Sequence, residues 1–319
     1  MMNFFIIIIA ISLSIFANAS SASIKENRYS ISSTYQKLVS KYAEISIPSQ
    51  LIPENIRYIE GIPYKSFVDS EQTLNIYALK AVKAKQPLIM LVHGGGWKSG
   101  QTSLMKPLAI GLAQQGYVVS TPSYRLSGQA KYPAAVHDLI DALLWLKAHA
   151  KTYNIDNSKV ILAGSSAGGQ LAALLAYSGG LLKGDVKTNK AFTIQALLNI
   201  DGLSDFTSPE ALPFENDPKK NPSAAGAWFG GRYEEVPELW QQASPIYYID
   251  KDAPPTLFLN GEKARFHAGR DAAIERLTQL GINSTVVKLD NAPHSFWLLN
   301  PWLGPTVTVC TEFLVANGL

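Results

Sequence analysis

Apolar and polar positions follow two rhythms along this chain. From Arg57 onward, "RYIEGIPY" and "LNIYALKA" alternate and are rich in β-branched and aromatic residues, which predicts two strands joined as a hairpin-like pair across the acidic turn "SFVDSEQT". Beyond them, short runs that are apolar throughout predict six more strands: Pro87 to Val92, Tyr117 to Tyr124, Lys159 to Gly164, Phe192 to Ile200, Thr256 to Gly261 and Ser284 to Asp290. Helically spaced segments separate them: "LMKPLAIGLAQQG", "AAVHDLIDALLWLKAHAKTY", "GGQLAALLAYSGG" and "HAGRDAAIERLTQLG". Strands without a polar face, alternating with helices, describe a mostly parallel central sheet with helices on both faces, an α/β class. Residues 201–254 break the rhythm. They are dense in Pro, Gly and Asn, too long for a simple connection, and are expected to form an insertion after the sixth strand, near the active site.

Residues 20–55 read as a polar lead-in with at most one short helix, and 56–319 as the main domain. The first stretch is apolar from Phe4 to Phe16 and ends in Ala17-Asn18-Ala19, the small residues a signal peptidase reads, so 1–19 is expected to be a cleaved signal peptide. No Lys or Arg precedes the apolar run. No later segment is apolar for the ~18 residues a membrane span needs, so the mature chain is expected to have no stable span and to reside in a bacterial periplasm or the medium. With 47% hydrophobic residues among 319, a sizeable core is available. The formal charge of +3 is small and the cations are scattered, which argues against nucleic acid as a partner. Cys310 is the single cysteine, so no intramolecular disulfide is possible.

Two glycine motifs carry the chemistry. "KVILAGSSAGGQLAALLA" sets Gly164-Ser165-Ser166-Ala167-Gly168 between a strand and a helix, the context in which Gly-x-Ser-x-Gly raises its central serine on a strained turn. Ser166 is the expected nucleophile. "LVHGGGWKSG" follows the first core strand, and its glycines leave room for backbone amides to face a developing oxyanion. The expected donors are the amides of Gly95, Gly96 and Ala167. The motif matches neither a P-loop nor a dinucleotide fingerprint. Of the five histidines, His93 belongs to the glycine loop, and His137 and His149 to a helix with packing or surface roles. His294, in "DNAPHSFW" after the last strand, is the expected general base.

The ordered set "HGGGW", "YRL" at Tyr124 to Leu126, "YPAAVHDLIDALLWLKAHA", "GSSAGG" and "APHSFW" resembles the α/β-hydrolase esterases of the BD-FAE and hormone-sensitive-lipase-like group, over roughly residues 65–319. The resemblance implies an α/β-hydrolase fold, serine esterase activity needing no metal or other cofactor, and the triad order nucleophile, acid, histidine. Exported relatives of this kind include acetyl and feruloyl esterases that act on polysaccharides. The alternatives in play are a general short-chain carboxylesterase, a feruloyl esterase or peptidase of the same fold, and a hydrolase-fold module that binds without catalysis.

The acid is where this chain departs from its relatives. They show Gly-x-x-Asp after the penultimate strand, whereas the third residue after Gly261 here is Ala264. Glu262, directly after that strand, is the leading candidate. Asp271 is the alternative, although the apolar spacing of Ala272, Ile274, Leu277 and Leu280 puts it in the first turn of a helix, where an acid complements the dipole. Asp201 or Asp205, after the preceding strand, is the third option. Trp97, Tyr124, His267 and Trp297 are expected to contact the substrate, a small-molecule or carbohydrate ester, with Trp228 and Phe229 beside them as further flat faces for sugar rings.

Overall fold

The computed structural model describes residues 29–68, 70–182 and 192–319, and the expected signal peptide lies outside the described residues. All eight expected strands form: β1 (Ile56–Ser66), β2 (Glu71–Leu79), β3 (Gln86–Val92), β4 (Val118–Pro122), β5 (Ile155–Ser165), β6 (Ala196–Ile200), β7 (Thr256–Asn260) and β8 (Ser284–Lys288). They build one sheet in the order β1-β2-β4-β3-β5-β6-β7-β8. The β1–β2 and β2–β4 pairs are antiparallel and the pairs from β4 to β8 are parallel. The parallel part therefore presents the carboxyl ends of β3, β5, β6, β7 and β8 on one edge, where ligand sites form in sheets of this kind.

The helices are α1 (Ile31–Leu38), α2 (Lys106–Gln114), α3 (Ala134–Ala148), α4 (Ala167–Ser178), α5 (Leu212–Glu215), α6 (Ala224–Phe229), α7 (Pro237–Gln242), α8 (Arg270–Gln279) and α9 (Leu303–Ala316). Alternate residues of one strand feed two cores. Leu88, Met90 and Val92 of β3 pack with α3 and α4, while Ile89 and Leu91 pack with α2 and α9. This two-sided burial is why the parallel strands read as unbroken apolar runs. Helix α9 was not legible in the pattern. Its run Thr306-Val307-Thr308-Val309 alternates like a strand, yet it lies as a helix against α2, where a Cβ on Gly111 would come within 2.6 Å of Val307.

Residues 201–254 fold as short helices α5 to α7 over the carboxyl edge. Trp97, Phe206, Trp228, Phe229 and Trp240 gather there in one aromatic cluster, with Trp97 stacked on Trp228 at 5.1 Å. Opposite, Asp138 of α3 is fully buried and accepts from Arg125 Nε and Nη2, both at 2.8 Å, from the Arg125 amide and from Lys65 Nζ. The arginine of "YRL" thus ties the loop after β4 to α3. The lead-in contributes α1, whose capping box joins Ser30 and Ser33. Tyr29, just before it, reaches Ser295 at 3.1 Å, which places the lead-in beside the loop that carries His294.

Candidate active site

Ser166 sits at the turn from β5 to α4 with φ 54° and ψ −124°, a conformation costly for a residue with a side chain. The turn is affordable only among glycines. A Cβ on Gly164 would lie 2.1 Å from the Gly168 carbonyl oxygen, and one on Gly168 would lie 2.3 Å from that of Val92. The Ser166 amide donates to the Ile200 carbonyl at 2.8 Å, so the end of β6 clamps the serine from its other side.

His294 lies within hydrogen-bond distance of both neighbours it needs. Its Nε2 is 3.0 Å from Ser166 Oγ and its Nδ1 is 2.9 Å from Asp201 Oδ2. The carboxylate facing the histidine therefore belongs to Asp201, and the leading expectation of Glu262 is corrected. Glu262 is an exposed side chain that accepts from the Asn291 amide at 3.1 Å and pairs with Lys288 at 3.1 Å, bracing the His294 loop from outside. The alternative, Asp271, is also out of reach. It is solvent-exposed in the first turn of α8 and pairs with Arg270.

The physical reason for the change of strand is register. Ile200 of β6 pairs with Leu259 of β7, and the Asp201 amide donates to the Leu259 carbonyl at 2.9 Å. The two strands end side by side, so an acid immediately after β6 reaches a histidine that an acid after β7 would also reach. Asp201 adopts φ 49°, which aspartate tolerates better than most residues. It also stands before Gly202, whose Cβ would meet Asn199 Oδ1 and the backbone of α4. A strand that ends in Asp-Gly at a forced turn was the available signal.

Asp201 is 1% exposed. Burial would push its pKa up, but contacts from His267 and His294 and the Gly261 amide, 2.9 Å from Oδ1, outweigh this and hold it at about 2. His294 responds in the opposite sense: burial lowers its pKa, with the Asp201 contact opposing. A neutral imidazole beside an ionised carboxylate is the resting state required of a general base. His267, expected on the pocket wall, instead stands behind the acid, with Nε2 3.3 Å from Asp201 Oδ1. Phe266 stacks on the His294 ring and Trp297 meets it edge-on.

Above Ser166 is a cavity of about 80 Å³ bordered by Gly96, Trp97, Ala167, Leu203, Ala224 and Phe266. Gly95 and Gly96 have φ 130° and 59°, and the Gly95 carbonyl is turned away to accept from Ser99. Gly96 and Ala167 reach the cavity wall, and Gly95 lies one residue back in the loop. The expected sugar-stacking aromatics are buried, and this is a second correction. Trp97 is 4% exposed and bonded to Gln170. Tyr124 stacks on His93 and donates to its carbonyl, and Trp297 is 1% exposed. Trp228 and Phe229 lie on α6 of the insertion itself, in its aromatic cluster. Large flat side chains at this edge serve packing, with Trp97 alone of those five bordering the cavity.

The BD-FAE family model matches residues 74–266, more than half of the chain. The chain belongs to the BD-FAE family of α/β-hydrolase esterases. The match contains the glycine loop, Ser166 and Asp201 and stops short of His294. Among curated relatives, an alpha/beta hydrolase of Acanthamoeba polyphaga mimivirus is 28% identical over 80% of this chain and 76% of its own length. Esterase LipC of Mycobacterium tuberculosis is 27% identical over 77% of this chain, which spans 62% of that protein. In fold, a truncated carbohydrate esterase from gut microbiota superposes with a TM-score of 0.70 at 19% identity, covering 85% of this chain and 99% of that one. Esterase B of Lactobacillus Rhamnosis gives 0.67 at 20% identity, covering 90% and 94%.

Proposed function

We propose that this chain is an exported serine esterase that removes short acyl groups, acetyl above all, from a carbohydrate. The observation that carries the reading is the unbroken contact chain Ser166 Oγ, His294 Nε2, His294 Nδ1, Asp201 Oδ2. Family membership supports ester chemistry. The small cavity above Ser166, about 80 Å³, supports a short acyl chain. The leader Phe4 to Ala19 supports export.

In this reading Ser166 Oγ attacks the ester carbonyl as His294 Nε2 takes its proton. Asp201 keeps the remaining proton on Nδ1 and stabilises the imidazolium. Amides of Gly95, Gly96 and Ala167 receive the oxyanion, each donor worth on the order of a hundredfold in rate. His294 then returns the proton to the departing alcohol oxygen, leaving acyl-Ser166. Water attacks this ester with His294 again as base, releasing the acid and restoring the serine.

Ser166→Ala tests the reading on p-nitrophenyl acetate. Loss of nearly all turnover, with an unchanged melting curve, is expected. Wild-type turnover retained in the variant would refute it. Acetyl, butyryl, feruloyl and aminoacyl substrates compared at equal concentration separate a short-acyl enzyme from a general carboxylesterase, feruloyl esterase or peptidase.

A further inference from the structure

We propose that the alcohol portion of the ester is an anionic, carboxylate-bearing sugar chain held in a cationic cleft beside His294. The inference rests on the esterase reading and names the substrate class of that same site. The cleft has a volume of about 650 Å³ and is bordered by His294, Phe266 and four cations: Lys37, Lys98, Lys263 and Arg265. Among the described residues no carboxylate stands on its wall.

These cations come from three distant segments: α1, the loop after "HGGGW", and the turn after β7. A local run of basic residues does not account for them, because the fold brings them together. Arg265 is paired with Glu215 at 2.9 Å, whereas Lys37, Lys98 and Lys263 form no ion pair among the described residues. Three unpaired lysines bordering one cleft make it locally cationic, although the formal charge of the chain is only +3. Lys263 and Arg265 are near enough to His294 for their charges to help depress its pKa.

The division of space sets which part of the substrate lies here. The cavity over Ser166 and the larger cleft share Phe266 and Arg265 as a common wall, with Ser166, Gly96 and Ala167 on the small side and His294 on the large side. A short acyl group fills the first. The alcohol, whose oxygen must receive the proton from His294 as the acyl–oxygen bond breaks, lies in the second, where its carboxylates face ammonium groups. A positively lined cleft raises local anion concentration and association rate by about tenfold or more, an effect that salt screens over about 8 Å at physiological strength.

The test compares kcat/KM on O-acetylated polygalacturonate, O-acetylated xylan and p-nitrophenyl acetate, at low and physiological salt, for wild type and for the combined substitution Lys37→Gln, Lys98→Gln and Lys263→Gln. Wild type is expected to prefer the acetylated polyuronate over xylan by about tenfold at low salt, with the preference shrinking as salt rises. The combined variant is expected to lose most of it through KM, and the three lysines changed to Arg to retain it. No preference in wild type, or a preference that survives the Gln variant, overturns the proposal. If wild type hydrolyses none of the three esters, the esterase reading itself has failed. If the combined variant has no melting transition, the single substitutions of these exposed lysines decide by the same ratio.

Discussion

Asp201→Asn is the substitution that separates this site from the one expected by family pattern. The side chain is 1% exposed, with one oxygen facing His294 Nδ1 at 2.9 Å and the other accepting from the Gly261 amide at 2.9 Å. Asparagine can keep the Gly261 bond with its carbonyl, but it then turns an NH2 group toward Nδ1. The imidazole must answer with the tautomer that carries its proton on Nε2, where it can no longer accept from Ser166. A wrong tautomer in a triad of this kind costs about 10³–10⁴ in rate, or about 4–5.5 kcal/mol. The pH profile gives a second readout. Asp201 opposes the lowering of the His294 pKa, so its removal moves the acidic limb of kcat/KM to lower pH. Initial rates on p-nitrophenyl acetate between about pH 4 and 9 measure both. Glu262→Gln, on an exposed side chain, is expected to stay within about twofold of wild type, on the scale of a surface substitution. A Glu262 variant as damaged as Asp201→Asn, or an Asp201 variant within about tenfold of wild type, would refute the assignment.

Four further outcomes follow from the same geometry. His267→Gln removes the imidazole 3.3 Å behind Asp201 and is expected to lower kcat severalfold, with a shifted acidic limb that a purely structural role would not produce. Asp138→Ala leaves Arg125 and Lys65 without their shared buried carboxylate and should cost about 3–5 kcal/mol in urea unfolding, with activity retained in the folded fraction. Gly168→Ala puts a methyl 2.3 Å from the Val92 carbonyl, and a melting temperature within a degree of wild type would contradict the tight turn described here. His93 is held neutral by burial, against the pull of the Gly94 carbonyl, with its pKa lowered to about 4. Because the unfolded chain takes up this proton near 6.5 and the folded one only near 4, stability is complete above 6.5 and falls by roughly 3 kcal/mol as pH drops to 4, measurable as a declining unfolding midpoint.

The sheet was readable because β3, β5, β6 and β7 are buried on both faces, so sequence and burial carry the same pattern. Ser166 and the glycine loop were readable because their backbone shapes admit few residue types. The acid was harder. A carboxylate can serve His294 from the end of either of two adjacent parallel strands, and Ile200 opposite Leu259 becomes visible only in the folded register. The aromatic positions misled for a related reason. Trp97, Tyr124 and Trp297 lie near the carboxyl edge, but Trp97 and Tyr124 are buried in the core shared with α3, α4 and the insertion and Trp297 in the core shared with α2 and α9, and exposure is a property of the tertiary fold. The lysines of the cationic cleft were dismissed as scattered because they are scattered along the chain, though not in space.

In the proposed mechanism Ser166 is a nucleophile activated by His294 and Asp201. Treating the folded protein with a fluorophosphonate and locating the adduct by peptide mass spectrometry tests it directly. A single adduct on Ser166 is expected in wild type, formed far more slowly in His294→Ala and Asp201→Asn. An unlabelled Ser166, or labelling equally fast in all three proteins, would contradict it and would favour a hydrolase fold that binds its ligand without cleaving it.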